Sequence, residues 1–137
     1  MILVDTGPLV ALFDRHDRHH ARCRDTLATL REPLLTTVPV LTEAFHMLSP
    51  DSPGARALRT FVAAGGLPVW FLERPALSRA FELMDAYADH PMDLADASLV
   101  VAGEAVRTRK VFTLDRGDFS TYRLRFGRRQ QAFEVVP

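Results

Sequence analysis

The chain has 137 residues, 47% hydrophobic and 25% charged, the balance of an ordinary globular protein, which argues against disorder and against a membrane protein. This length predicts a single domain over residues 1–137, because two halves would each be too small to bury a core. The 17 basic and 17 acidic residues cancel, and the lone Cys23 excludes an intrachain disulfide framework and a cysteine-built zinc site.

Ile2–Val4 is a short apolar run ending at Asp5 and predicts a buried strand. It meets an acid too early, and without a basic leader, to read as a signal peptide. No later run approaches the roughly 20 apolar residues that span a bilayer, so no membrane segment is expected and the cytosol is the simplest compartment. Thr6-Gly7-Pro8 predicts a turn into a helix whose apolar face is Leu9, Val10, Leu12 and Phe13. A second helix is expected over 17–30, with Ala21, Leu27, Ala28 and Leu30 inward and Pro33 as its stop. A strand over 34–38 and a helix over 39–48 follow, then the turn Asp51-Ser52-Pro53-Gly54 and a helix over 55–64 ended by Gly65-Gly66. Residues 67–72 read as a third strand with Trp70 and Phe71 packed in the core. Leu77, Ala80, Phe81 and Met84 mark one face of a helix over 74–88. A helix over 94–108, a strand over 111–114 and a last strand over 133–136 complete the chain.

Strands alternating with helices predict an α/β fold with a parallel sheet covered on both faces. Function in such sheets lies beyond the carboxyl ends of the strands. Asp5 and Asp115 directly follow strands, Asp96 lies in the first turn of a helix, and Glu43 sits amid Val40, Leu41, Ala44 and Phe45. Several carboxylates brought together raise one another's pKa and oppose folding unless a cation joins them. Hard oxygen donors suit Mg²⁺ or Mn²⁺, and such a pocket supports phosphodiester hydrolysis. Each acid also has a local role open to it. Asp93 fits an N-cap with Asp96 at N3, Asp5-Thr6-Gly7 fits a plain strand-to-helix turn, Asp118 fits a cap for a turn at 119–122, and Glu43 fits an ion pair with an arginine. Between Arg107 and Arg129 eight basic residues face only two acids, either a phosphate-facing patch or ordinary solvated surface.

The segments Ile2-Leu3-Val4-Asp5-Thr6-Gly7-Pro8-Leu9-Val10-Ala11, Leu41-Thr42-Glu43-Ala44, Met92-Asp93-Leu94-Ala95-Asp96-Ala97-Ser98-Leu99-Val100 and Val111-Phe112-Thr113-Leu114-Asp115-Arg116-Gly117-Asp118-Phe119, in this order, resemble the PIN-domain ribonucleases, and among them the VapC-like toxins of bacterial toxin–antitoxin pairs. The resemblance implies a three-layer α/β/α domain with a central parallel sheet. It implies Asp5, Glu43, Asp96 and Asp115 as catalytic metal-site carboxylates, with Asp93 and Asp118 as outer members. Thr6 and Thr113 match the hydroxyl residues that orient a ligand carboxylate or water. It further implies Mg²⁺ or Mn²⁺ as cofactor, RNA as substrate, a homodimer, and an antitoxin whose basic residue meets the acids. The alternative is a non-catalytic RNA-binding or regulatory module of the same fold.

Other signals are weaker. An aspartic protease needs an all-β body, and no glycine-rich phosphate loop is present. A phosphoacceptor-aspartate signalling domain needs a lysine after the last strand, whereas Lys110 precedes the fourth. His16, His19 and His20 read as a solvated helix start, His46 and His90 as isolated, and Cys23 as inert.

Overall fold

The computed structural model describes all residues, 1–137. Five short strands form the sheet: β1 (Ile2–Val4), β2 (Leu34–Thr37), β3 (Val69–Trp70), β4 (Lys110–Phe112) and a last strand, β7 (Glu134–Val136). Every pairing is parallel and the order is β3-β2-β1-β4-β7. Parallel strands need crossover connections, and these are supplied by α1 (Thr6–Phe13), α2 (His20–Thr29), α3 (Val38–Leu48), α4 (Pro53–Ala63), α5 (Arg74–Ala86) and α6 (Leu94–Val106). The chain moves outward from β1 through β2 to β3, then returns past β1 to β4. Right-handed crossovers therefore place α1–α4 on one face and α5–α6 on the other. The result is the three-layer arrangement with a central parallel sheet.

β1 is buried throughout, and with β4 and α6 it forms the middle of the core: Leu3, Val4, Leu99, Val100, Val111 and Phe112 are almost wholly buried. Helix starts are fixed by short polar side chains that immediately precede them. Ser52 accepts a hydrogen bond from the Ala55 amide at 3.1 Å to open α4, with Pro53 in its first turn. Asp5, Asp93 and Asp115 open α1, α6 and α7 (Arg116–Thr121) in the same way.

Several expectations are corrected. The second helix begins at His20, and it buries Cys23 and Thr26 while Ala21 and Ala28 are exposed. The helix lies outermost in its layer against α1, so only a narrow stripe is covered. Phe71 is 68% exposed because β3 is a two-residue edge strand that ends before it; Trp70 is half-buried against the core. Phe81 is 50% exposed, since α5 turns Ala80 and Leu83 toward α6 instead. The acid that caps α7 is Asp115; Asp118 lies in its first turn. The basic C-terminal segment contains an unforeseen antiparallel hairpin, β5 (Arg123–Phe126) and β6 (Arg129–Ala132). Gly127 opens its two-residue loop with φ 63°, a conformation that costs glycine little.

Candidate active site

β1 lies between β2 and β4, where the direction of chain progress reverses. Crevices in open parallel sheets form beyond the carboxyl ends of strands at such a point. A cleft of about 440 Å³ opens there, lined by Asp5, Glu43, Asp93, Asp96, Asp115 and Asp118. A larger hollow of about 570 Å³ between the end of α1 and the start of α4 has Asp14 as its sole carboxylate. Acid–base or metal chemistry therefore belongs to the smaller, acidic cleft.

Asp5 is the best-fixed acid. It is 8% exposed; its Oδ1 accepts from the Thr6 amide at 2.8 Å and its Oδ2 from Thr113 Oγ1 at 2.7 Å. Thr113 Oγ1 also accepts from the Asp115 amide at 3.0 Å, so one hydroxyl ties the ends of β1 and β4 together. Asp93 Oδ1 caps the Asp96 amide at 2.8 Å, and Asp115 Oδ1 caps the Asp118 amide at 3.0 Å. The capping role open to Asp93 is thus present, and its Oδ1 serves the helix while it faces the cleft. Glu43, on α3, makes no ion pair. Thr6 Oγ1 is buried on the cleft wall without a hydrogen-bond partner, an unsatisfied group that a water or ligand oxygen would complete.

The electrostatics follow from this crowding. Burial pushes Asp5 up to about 6; its bonds from Thr113 and Thr6 lower it, while the charges of Glu43 and Asp93 add to the rise. Asp96 is pushed up to about 8 by burial first, then by the charges of Asp93 and Asp5. Burial also raises Asp115, with Asp118 adding to it. The cleft disfavours its own negative charge and would gain from a cation.

Two supporting residues escaped the sequence reading. Tyr122, fully buried, directs its hydroxyl at Asp96 Oδ2 (3.2 Å) and the Pro91 carbonyl (3.3 Å). Tyr87, His90 and Phe119 pack edge-on around its ring. His90 is not isolated, because its Nε2 lies 2.6 Å from Asp118 Oδ1. Neither belongs to a periodic pattern: Tyr122 ends the short helix α7, and His90 lies on the loop between α5 and α6. Arg18 and His19, on the loop before α2, also line the cleft. By contrast, none of the hairpin arginines lines the cleft. Arg107 caps the far end of α6, some 20 Å of helix from Asp93, and its guanidinium stacks 5.3 Å from the ring of Phe126 beside the hairpin loop.

A parallel sheet covered by helices on both faces, with carboxylates gathered at its switch point, defines an α/β domain with an acid-lined cleft. Residues 2–123 match the PIN domain, and the chain belongs to that family. Over 138 aligned residues it is 27% identical to Ribonuclease VapC26 of Mycobacterium tuberculosis, covering 99% of this chain and all of that protein. The crystal structure of Mycobacterium tuberculosis VapC20, a sarcin-ricin loop cleaving toxin, superposes with TM-score 0.79 at 18% identity, over 85% of this chain and 92% of that one. A toxin–antitoxin complex from Klebsiella pneumoniae superposes with TM-score 0.65 at 18% identity, over 88% of this chain and 92% of that one. No helix is long and apolar enough to cross a membrane.

Proposed function

We propose that the chain is a divalent-metal-dependent endoribonuclease and the toxin of a toxin–antitoxin pair. One observation carries this reading: Asp5, Glu43, Asp96 and Asp115 line a single cleft at the switch point of a PIN-domain sheet, flanked by Asp93 and Asp118. The full-length likeness to a ribonuclease of the VapC group supports RNA as substrate.

The donor set fits Mg²⁺ or Mn²⁺. All donors are hard oxygens, burial and then neighbouring charge raise the pKa values of Asp5 and Asp96, and Thr6 Oγ1 awaits a partner. No three His, Cys, Asp or Glu side chains stand close enough together to enclose an ion, so a bound ion would need some of these acids to turn toward it. Glu43 has no side-chain partner, Asp96 and Asp115 are each held at one oxygen, and Asp5 is held at both. A bound divalent cation would activate water and neutralise charge building on the phosphodiester. Around it, Thr113 fixes Asp5, Tyr122 fixes Asp96, and Thr6 offers a hydroxyl to orient a water. These groups set the geometry before substrate arrives, which is where such sites gain rate.

A homodimer and an antitoxin complete the proposal. A largely apolar cavity of about 340 Å³ lies among Leu12, Phe13, Leu27, Leu34 and Phe61, large enough for apolar side chains of a partner. A partner's arginine reaching the acids would replace the cation as counter-charge. The decisive experiment is incubation of RNA with the purified chain and Mg²⁺ or Mn²⁺, with and without chelator, alongside Asp96→Asn. Metal-dependent cutting that Asp96→Asn abolishes supports the proposal. RNA binding without cutting would leave a non-catalytic module.

A further inference from the structure

The cleft holds six carboxylates and a single permanently cationic side chain, Arg18. Arg18 pairs with none of them. Its one side-chain hydrogen bond runs from Nε to His19 Nε2 at 3.1 Å, which leaves both Nη groups free. The loop that carries it is pinned. Asp14 Oδ1 accepts from the His16 amide at 3.0 Å, Asp17 Oδ1 from the His19 amide at 2.8 Å, and His20 Nδ1 lies 2.7 Å from the Ala11 carbonyl. The first two bonds lie within a loop only six residues long, and the third joins α2 to α1 across it. An exposed guanidinium held beside, but not on, a carboxylate cluster has its fork open to an outside anion. Polynucleotides supply that anion at every residue, and arginine binds phosphate with two parallel hydrogen bonds.

We propose that Arg18, held by His19 on the loop between α1 and α2, is a substrate-binding residue that grips a backbone phosphate adjoining the one placed among the carboxylates. The proposal rests on the ribonuclease reading above. Its position at the rim separates it from the reacting phosphate, which the acids and their cation must surround. The grip therefore acts equally in the ground state and the transition state and is read in KM. It also positions the strand, which fixes which bond reaches the acids. His19 is a positioning residue, because it occupies Nε and directs the remaining donors.

The test is steady-state cleavage of a single-stranded oligoribonucleotide in Mn²⁺ at several salt concentrations, comparing the unaltered chain with Arg18→Ala, Arg18→Lys and His19→Ala. Arg18→Ala is expected to raise KM about tenfold, leave kcat within about twofold, and make the salt dependence of binding shallower by about 0.7 in log–log slope, the contribution of one contact on a single strand. Arg18→Lys should recover the slope and only part of the affinity, since it keeps charge without the fork. His19→Ala should shift KM in the same direction by less. The rise in melting temperature produced by Mn²⁺ should stay the same in Arg18→Ala. Unchanged KM and salt slope in Arg18→Ala would overturn the proposal. So would an altered Mn²⁺ response with unchanged KM, which would make Arg18 a counter-charge for the acids. Failure of the unaltered chain to cut RNA with either metal is a different result: it overturns the ribonuclease reading and this role with it.

Discussion

Asp96 shares the cleft with Asp5, Asp93 and Asp118, and its ionisation is opposed by burial and by all three charges. Its folded pKa, about 8, lies above the ordinary 3.8, as does that of Asp5 at about 6. A raised carboxyl pKa favours the folded state while the proton is present. That stability is complete below about pH 4, is lost progressively as pH rises, and is gone above about 8. The metal-free chain is therefore expected to melt at a higher temperature at pH 5 than at pH 8. In Asp96→Asn, thermal melts in chelator should show a smaller gap between the two pH values. The same substitution should lower RNA cleavage about a hundredfold or more, because it removes a ligand charge itself, and not just a support worth 10–100-fold. Tyr122→Phe tests the support. Loss of its hydroxyl should shift the Mn²⁺ midpoint for cleavage about tenfold upward and cost about 1 kcal/mol in a denaturant melt. An unchanged midpoint would make the bond to Asp96 incidental.

Three of the cleft acids are also helix caps, so folding and function draw on the same side chains. Asp93 opens α6 and raises Asp96 at once. Asn caps nearly as well as Asp, so Asp93→Asn should leave stability within about 0.5 kcal/mol. Its activity loss should be smaller than that of Asp96→Asn; equal losses would make Asp93 a full metal ligand. At its other end α6 runs so close to its neighbours that only glycine fits at 103. A Cβ there would meet the Thr108 carbonyl oxygen at 2.8 Å and Leu124 Cδ2 at 2.6 Å. Gly103→Ala should cost about 1–3 kcal/mol in chemical denaturation, because a backbone atom has to give way. A neutral result would mean that the hairpin packs loosely on α6.

In the assembled molecule six acids gather at the carboxyl edge of the sheet, while Arg107 and the hairpin loop lie at the far end of α6. A cation that binds only the folded chain should raise its melting temperature in proportion to log concentration above Kd. Mg²⁺ or Mn²⁺ should do so in the unaltered chain and not in the Asp5→Ala, Asp115→Ala double variant. A persistent rise would place the ion elsewhere. The proposed homodimer is checked by light scattering, with a strictly monomeric chain as the contrary result.

The alternation of apolar strands with amphipathic helices is local information, and it was enough to place all five sheet strands and the six crossover helices. Asp5, Asp96 and Asp115 come to one cleft because strand ends and helix starts in a parallel sheet share one edge, and Glu43 joins them from within α3. The β5–β6 hairpin was not legible: its strands are arginine-rich and polar, and they are held by packing Leu124 against α6, a contact absent from any local pattern. Phe71 and Phe81 have core composition but lie where an edge strand and an outer helix leave nothing to cover them. Tyr122, His90, Arg18 and His19 come to the cleft from loops and a short helix whose positions follow from distant contacts. Residue spacing along the chain carries the period of each element and the polarity of its ends. Only the assembled sheet, with its helices packed on both faces, decides which side chains from different elements meet.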